Sequence, residues 1–587
     1  MPFGAELTSH HGVRFRLYAP SATNVDLALD HAALEPLRRG DDGFFERIDS
    51  RARIGSRYAF VVDGLSVPDP ASRFNPDGPH GPSVVVDPAA FPWPNDGWRG
   101  VAWHEHVFYE IHVGTFTPEG TYAAAAEKLP LLVDLGITAI ELMPLAQAPG
   151  ARNWGYDGVL LYAPAYAYGT PDDLKALVVR AHELGIAVYL DVVYNHFGPE
   201  GNYLRAYARE FYTDLHDTPW GAAIDVKECA HVRAFFIENA LYWLEEFHFD
   251  GLRLDAVHTI ADGDGRAFLR ELAATVHNRA SRPVHLILEN ENNESALLDA
   301  GFRAQWNDDA HHAAHVAVTA ERFGYYADYA RATAALLGRT LTKGFAYQGE
   351  PSGVRGGERR GHISEHLAHA SFVNFLQNHD QVGNRPFGER ITALASEDAV
   401  RAVVAVLLLA PPVPLLFMGE EWGASTPFLF FCDFEPDLAR AIAAGRRHEL
   451  GTFTGFADVA TRERIPDPSA PETFARSILR WDERTTSPHD AWLAYYRNLL
   501  RIRAVEIAPR SARACGLDAD YAAIGDCGLR AKWRLDDGSA LALETNLGHT
   551  ARAGFSPHPK GHVIFATHDP TFVDGIAPPW SVRWTID

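Results

Sequence analysis

From Trp103 onward the chain alternates short apolar runs with helix-like segments, and it does so eight times. The runs are Val107–Val113, Ala139–Met143, Ala187–Tyr194, Gly251–Val257, Val284–Glu289, Arg303–Trp306, Phe372–Asn378 and Val413–Met418. Parallel strands produce this rhythm, because each must be joined to the next by a crossover, usually helical. Helix starts fall between the runs. Thr170-Pro-Asp-Asp combines a cap residue, a proline suited to the first turn and two acids, and Ser396-Glu-Asp-Ala opens another helix. Eight such units predict an α/β chain built on a closed (β/α)8 TIM barrel. An open doubly wound sheet would need a glycine-rich turn after an early strand, and none has the spacing.

The flanks have a different period. Up to about Pro94 the runs Val13-Arg-Phe-Arg-Leu-Tyr, Val25-Asp-Leu-Ala-Leu and Arg57-Tyr-Ala-Phe-Val-Val alternate between turn residues, which predicts a small β-sandwich. The proline-rich stretch from Pro68 to Pro82 reads as an ordered linker. Past Thr485 a helix over Ala491–Ala504 precedes alternating runs such as Leu529-Arg-Ala-Lys-Trp-Arg-Leu, an antiparallel β domain. The expected units are therefore 1–95, an immunoglobulin-like sandwich; 96–485, the barrel with loops inserted at about 196–227 and 307–370; and 486–587, the last barrel helix and the C-terminal β domain.

Charge and cysteine content narrow the partners. With 53 basic against 76 acidic residues, the net charge of −23 argues against nucleic acid or an anionic membrane and suits a neutral ligand. Cys229, Cys432, Cys515 and Cys527 form neither a disulfide framework nor a close metal-ligand pair, so a reducing, cytoplasmic setting is expected. No window is apolar enough to span a bilayer, and Met1-Pro-Phe-Gly does not open a signal peptide.

Four strand ends carry chemistry: Asp191-Val-Val-Tyr-Asn-His196, Arg253-Leu-Asp255, Glu289 and Gln377-Asn-His-Asp380. In a barrel of this kind reactive groups sit at the carboxyl ends of strands. Side chains alternate along a strand, so Arg253 and Asp255 share a face, and the cation keeps the acid ionised as a covalent nucleophile requires. Glu289 closes an apolar strand, where burial raises a carboxyl and suits it to donate a proton. Asp380 would stabilise positive charge developing on a sugar ring. Such a set fits glycoside cleavage with retention, which needs two carboxyls about 5–5.5 Å apart. His196 and His379 are suited to hydrogen-bond the same sugar, and Asp191 to hold Arg253 structurally. Glu291 competes with Glu289 as the acid, but Glu289 is favoured because it ends the strand. The triplet His311, His312 and His315 reads as a polar groove wall rather than a metal site, and Arg355–Gly361 as a mobile solvated loop without the ending of a P-loop.

These four segments resemble the conserved regions of the α-amylase superfamily of glycoside hydrolases. The resemblance implies Asp255 as nucleophile, Glu289 as acid/base and Asp380 as stabiliser, with Arg253, His196 and His379 in support. Asn153-Trp-Gly-Tyr-Asp157 is similar to the family segment whose tyrosine, here Tyr156, stacks on the sugar at the cleaved bond. Further likeness in Gln377–Arg385, Leu415–Phe428, Trp306-Asn-Asp-Asp309 and Gly445-Arg-Arg447 covers nearly the whole chain and points to the branch that acts on maltooligosyltrehalose. That implies hydrolysis of the α-1,4 bond beside a terminal trehalose unit, with a companion synthase supplying the substrate. Asp308, Arg385, Glu420 and Trp422 are the candidates for contacts on the leaving-group side. No cofactor is expected. Asn195 occupies a position where many amylases bind calcium, without a full ligand set, which leaves calcium open. The competing functions are an α-glucan branching enzyme, which transfers the glycosyl group to a sugar hydroxyl, and a non-catalytic α-glucan-binding protein.

Overall fold

The computed structural model describes residues 2–8, 12–30, 33–94, 97–218, 220–260, 266–450, 462–568 and 572–587. The boundary expected at 95/96 lies outside the described residues. Eight strands, Phe108–Ile111, Ala139–Leu142, Ala187–Val192, Gly251–Leu254, His285–Leu288, Ala304–Trp306, Phe372–Phe375 and Val413–Phe417, pair in chain order into a closed barrel. All pairs are parallel, and the eighth strand returns to the first through Phe108 opposite Leu415. Each strand falls within one of the eight expected apolar runs. They are hereafter numbered one to eight.

Alternation along each strand divides the barrel's residues between its interior and the helices around it. Phe108, Ala139, Tyr189, Ile287, Trp306, Phe375 and Leu415 form one buried interior cluster, while Leu190, Leu252, Leu254, Leu286 and Leu288 join the core outside. The helix caps read from the sequence are formed: Thr170 and Asp173 cap Pro171–Glu183 reciprocally, and Ser396 accepts from the Ala399 N–H to open Glu397–Leu408.

Two β units flank the barrel. At the N-terminal end one sheet runs in the order Gly4–Leu7, Val13–Tyr18, Phe44–Asp49, Arg38–Arg39, and a second is centred on Val25–Leu29 and Arg57–Val62. Phe15 and Tyr58 meet between the sheets with ring centroids 4.8 Å apart. Buried Arg73 ties this unit to the barrel, donating to the Ala5 carbonyl at 2.8 Å and pairing with Glu246 at 3.1 Å. The C-terminal unit is a five-stranded antiparallel sheet containing Gly528–Arg534, Ala540–Asn546 and Ser581–Ile586. Its stacked Trp533 and Trp584 donate to the carbonyls of Leu341 and Ala405, fastening the sheet to two barrel helices.

Candidate active site

Inward alternation does not stop where the strands end. It carries on from Arg253 to Asp255 at strand four and from Ile287 to Glu289 at strand five, and these side chains meet above the interior cluster. Arg253 is fully buried, with its guanidinium 4.2 Å from the centroid of the Trp306 ring. Its Nη1 donates to Asp191 Oδ2 at 2.7 Å and Asp255 Oδ1 at 2.8 Å, and its Nη2 donates to Glu289 Oε2 at 3.1 Å. One planar fork thus fixes three carboxyls, which a lysine's single ammonium could not do with the same geometry. Asp191 also accepts from the Tyr156 hydroxyl at 2.6 Å, and Asn195 Nδ2 donates to Asp255 Oδ2 at 3.0 Å.

The backbone bends sharply after Asp255. Ala256 takes a left-handed φ of 40°, a conformation that costs a non-glycine residue of order 1–3 kcal/mol. The bend brings the Ala256 N–H to within 2.7 Å of Glu289 Oε2, while the Val257 N–H reaches the Glu289 carbonyl at 3.0 Å. The strained residue is therefore the one that grips the acid at strand five.

Burial pushes the Glu289 carboxyl well above its ordinary range against the pull of Arg253, and Asp255, Asp308 and Asp380 push it further up. At the end of strand seven the balance is reversed. Burial alone would raise Asp380 and lower His379, yet their mutual attraction holds Asp380 below its usual value, and Asp380 with Glu110 holds His379 well above its own. His379 Nδ1 lies 2.5 Å from Glu110 Oε1, and its N–H donates to Glu110 Oε2 at 2.9 Å. On strand two, Glu141 is buried and neither carboxyl oxygen has a hydrogen-bond partner among the described residues. Burial drives its carboxyl well upward, and Asp191 and Glu110 push the same way against the pull of Arg253 and His379.

A cleft of about 590 Å3 opens over these groups, lined by Asp255, Glu289 and Asp380 together with Trp154, Tyr156, Trp220, Phe430 and His258. Tyr156 stacks on His379 at 5.0 Å, and Trp220 stacks on His196 at 4.0 Å. Flat rings around convergent carboxyls offer apolar faces and acceptors together, the combination that a pyranose ring needs.

Of the residues named from sequence, Asp255, Glu289, Asp380, Tyr156, His196 and His379 line this cleft, and Arg253 and Asp191 lie directly beneath it. His196 departs from expectation: its nitrogens face Asn195 Oδ1 and the Tyr156 carbonyl, so it braces the wall instead of presenting a free donor. Arg385 is spent on both oxygens of Glu321, at 2.9 Å each, in a side pocket of about 190 Å3 that adjoins the cleft at Asn384.

Glu420 and Trp422 do not reach the cleft. Left-handed Gly419 and Gly423, at φ 82° and 59°, turn this segment away from the cleft and under the helix His489–Ile502. There Glu420 accepts from the Tyr496 hydroxyl at 3.0 Å, and Trp422 is fully buried against Trp481. The histidine triplet is also core and not groove wall: His311 bonds the Leu376 carbonyl and the Tyr326 hydroxyl, and His315 pairs with Glu321. Nor is Arg355–Gly361 a free loop. Arg355 donates to Asn292 Oδ1 at 2.8 Å, and buried Arg360 reaches the Glu291 carbonyl and pairs with Asp309. Glu291 itself points outward to Arg355 and His258. Sequence reasoning missed Trp220, Glu110, Glu141 and the role of Ala256. Glu110 and Glu141 carry the one available signal, an acid inside an apolar strand run.

Asn195 donates its amide nitrogen to Asp255 Oδ2, and its amide oxygen faces His196 Nδ1. Among the described residues no group of three or more His, Cys, Asp or Glu is placed to hold a metal ion.

Comparison with known proteins follows the same architecture. The family model "Alpha amylase, catalytic domain" matches residues 94–221, "Carbohydrate-binding module 48 (Isoamylase N-terminal domain)" matches 2–90, and a domain of unknown function, DUF3459, matches 517–584. A malto-oligosyltrehalose trehalohydrolase from Deinococcus radiodurans is 45% identical over 84% of this chain and 81% of its own. One from Saccharolobus solfataricus is 40% identical over 86% and 87%. A crystal structure from Salmonella typhimurium described as "Putative alpha Amylase" superposes with a TM-score of 0.94 at 44% identity, covering 100% of this chain and 99% of the other.

Proposed function

The chain belongs to the malto-oligosyltrehalose trehalohydrolases of the α-amylase family, and from that premise we propose how its residues divide the reaction. The enzyme is a glycoside hydrolase that cleaves the α-1,4-glucosidic bond next to the terminal trehalose unit of maltooligosyltrehalose, releasing trehalose and a shortened maltooligosaccharide. In our reading Asp255 attacks the anomeric carbon while Glu289 protonates the departing oxygen, leaving a covalent glycosyl-enzyme. Glu289, now ionised, then takes a proton from the water that releases the sugar with retained configuration. Asp380, kept anionic by cationic His379, faces the positive charge that develops on the ring, and Tyr156 stacks on that ring. The observation that carries this reading is the single guanidinium of Arg253, which holds Asp255 and Glu289 side by side, and burial, which pushes the Glu289 carboxyl upward, supports it as the acid.

The acid stands on the leaving-group side of the bond, so trehalose belongs beside strands four and five. His258 and Thr259 line the cleft there, and Glu291 pairs with both His258 and Arg355 at its rim; we keep Asp308, which opens the helix after strand six, as a candidate for that side. Arg385 was a candidate for the same side, but its guanidinium is paired with Glu321 in the adjoining side pocket. Groups that hydrogen-bond the second glucose of trehalose lose their partners with an ordinary maltodextrin, which is how selectivity arises. Trp220 and the other rings would guide related α-glucans into the cleft. A synthase that makes maltooligosyltrehalose is the expected pathway partner, no cofactor is required in this scheme, and the cytoplasm is the compartment we assign. No described helix is long and apolar enough to cross a membrane. We divide the chain at 95 and 485, treating 1–95 as the glucan-binding-module-like unit.

The test is product analysis on maltooligosyltrehalose and, in parallel, on the reducing maltooligosaccharide of equal length. Trehalose release from the first, with the second cut at least tenfold more slowly, is expected. Equal cleavage, or new α-1,6 linkages, would reject the substrate assignment and favour a general amylase or a branching enzyme.

A further inference from the structure

Arg446 belongs to the Gly445-Arg-Arg447 stretch, which the proposed chemistry leaves without a task. It stands on the helix Pro436–Leu450, beyond strand eight, and reaches back to the catalytic face. Its Nη2 donates to the Gly383 carbonyl at 2.6 Å, and its guanidinium lies 4.6 Å from the centre of the Phe430 ring, itself part of the cleft wall. One hydrogen bond and one ring contact thus orient a group that carries five N–H donors. Arg446 borders two spaces at once: the cleft through Phe430, and the side pocket of about 190 Å3, whose lining it shares with Tyr325, Gln381, Asn384 and Arg385. The two spaces meet at Asn384, which lines both and donates to Asp380 Oδ1 at 3.1 Å. We propose that this pocket is a further subsite that takes one glucosyl ring of the maltooligosaccharide part of the substrate, with Arg446 and Tyr325 as its binding residues.

The pocket has the parts a sugar site needs. Tyr325 keeps 41% of its surface exposed, yet its ring is backed by His312 at 4.5 Å and its hydroxyl donates to Gln381 Oε1 at 3.2 Å. A ring held in this way offers an apolar face at little entropic cost. Behind it, Glu321 takes both amino groups of Arg385 at 2.9 Å and Nε2 of His315 at 2.7 Å, so the back wall is fixed before any ligand arrives. Amide, guanidinium and ring match the hydroxyls and apolar face of one pyranose, and the volume lies below the roughly 300–1,000 Å3 of sites for drug-sized ligands. Position assigns the ring to the maltooligosaccharide. In a closed barrel of eight strands in chain order, strand eight stands opposite strand four. Trehalose belongs beside strands four and five, whereas Phe430 and Arg446 come from the segment beyond strand eight. A chain that leaves the cleft past Asn384 and Phe430 is therefore the part that stays on the enzyme when trehalose departs.

This inference rests on the chain being a trehalose-releasing hydrolase. The experiment measures kcat/KM on a series from glucosyltrehalose to maltopentaosyltrehalose for the wild type, Arg446→Met and Tyr325→Ala, together with inhibition by free trehalose. Ratios between successive lengths are compared, so any loss of folded protein cancels, and the two variants reach the pocket from different segments. In the wild type one added ring is expected to raise kcat/KM by about tenfold, the worth of one hydrogen bond to a charged group. Each variant is expected to remove most of that step while inhibition by trehalose stays the same. A wild type with no such step, or variants that lose the same factor at every length, would overturn the inference with trehalose release still intact. Weaker inhibition by trehalose in the variants would move the pocket to the leaving-group side and overturn it as well. A wild type that releases no trehalose would instead remove the premise.

Discussion

Two carboxyl clusters at the catalytic face of this barrel share their chemistry and differ in what they face. The first joins Asp191, Asp255 and Glu289 on Arg253. The second joins Glu420 and Glu421 after strand eight, beside Arg390, with burial pushing each acid up to about 7. In the second cluster Glu420 accepts from Tyr496, both Glu421 oxygens face the Tyr109 hydroxyl, and both acids are buried outside the lining of the cleft. In the first, Asp255 and Glu289 keep 13% and 17% of their side-chain surface exposed, in a cleft shared with Asp380. A displaced carboxyl is a candidate for function, but its accessibility to a ligand decides between catalysis and a satisfied core contact.

Substitutions break the comparison in opposite directions. Asp255→Asn is expected to lower kcat by on the order of 10⁴–10⁶ with little change in thermal midpoint, because a nucleophile removed from a concerted set costs nearly all of its effect. Trp422→Ala, in the second cluster, should cost about 3–5 kcal/mol of stability while the folded fraction keeps its kcat. Calorimetry alongside initial rates checks both. Loss of kcat in folded Trp422→Ala would show that the strand-eight cluster acts in catalysis after all.

A smaller effect sharpens the role of charge. Asp380 and Glu110 hold His379 above its ordinary value, so its contribution to stability is complete below that value, about 6.5, and fades as pH rises through the folded one. His379→Gln should therefore lose more thermal stability relative to the wild type near pH 6 than at about pH 9. A gap that stays constant across that range would mean the imidazole is neutral in the folded protein.

Much of this was legible in the chain. The eight strands declared themselves because a strand buried on both faces is a short, nearly continuous apolar run, and helix caps separate these runs. Asp255 and Glu289 were legible because inward alternation simply continues past the strands. The same rule misleads at strand eight, where Leu-Leu-Phe-Met-Gly-Glu-Glu resembles strand five's Leu-Ile-Leu-Glu until Gly419 takes a left-handed turn. Ala256 gave no warning, since alanine has no preference for positive φ and only the tertiary contact with Glu289 holds it there. Trp220 reaches His196 across an inserted hairpin, and Arg360 reaches Asp309 across another, contacts that local pattern does not encode.

The most direct test of the proposed chemistry is to find where the sugar becomes attached. Glu289→Gln, incubated with a maltooligosyl fluoride whose leaving group needs no protonation, should accumulate a glycosyl-enzyme, and peptide mass spectrometry should place the sugar on Asp255. A sugar on any other carboxyl, or release of product with inverted configuration and no adduct, would contradict the account.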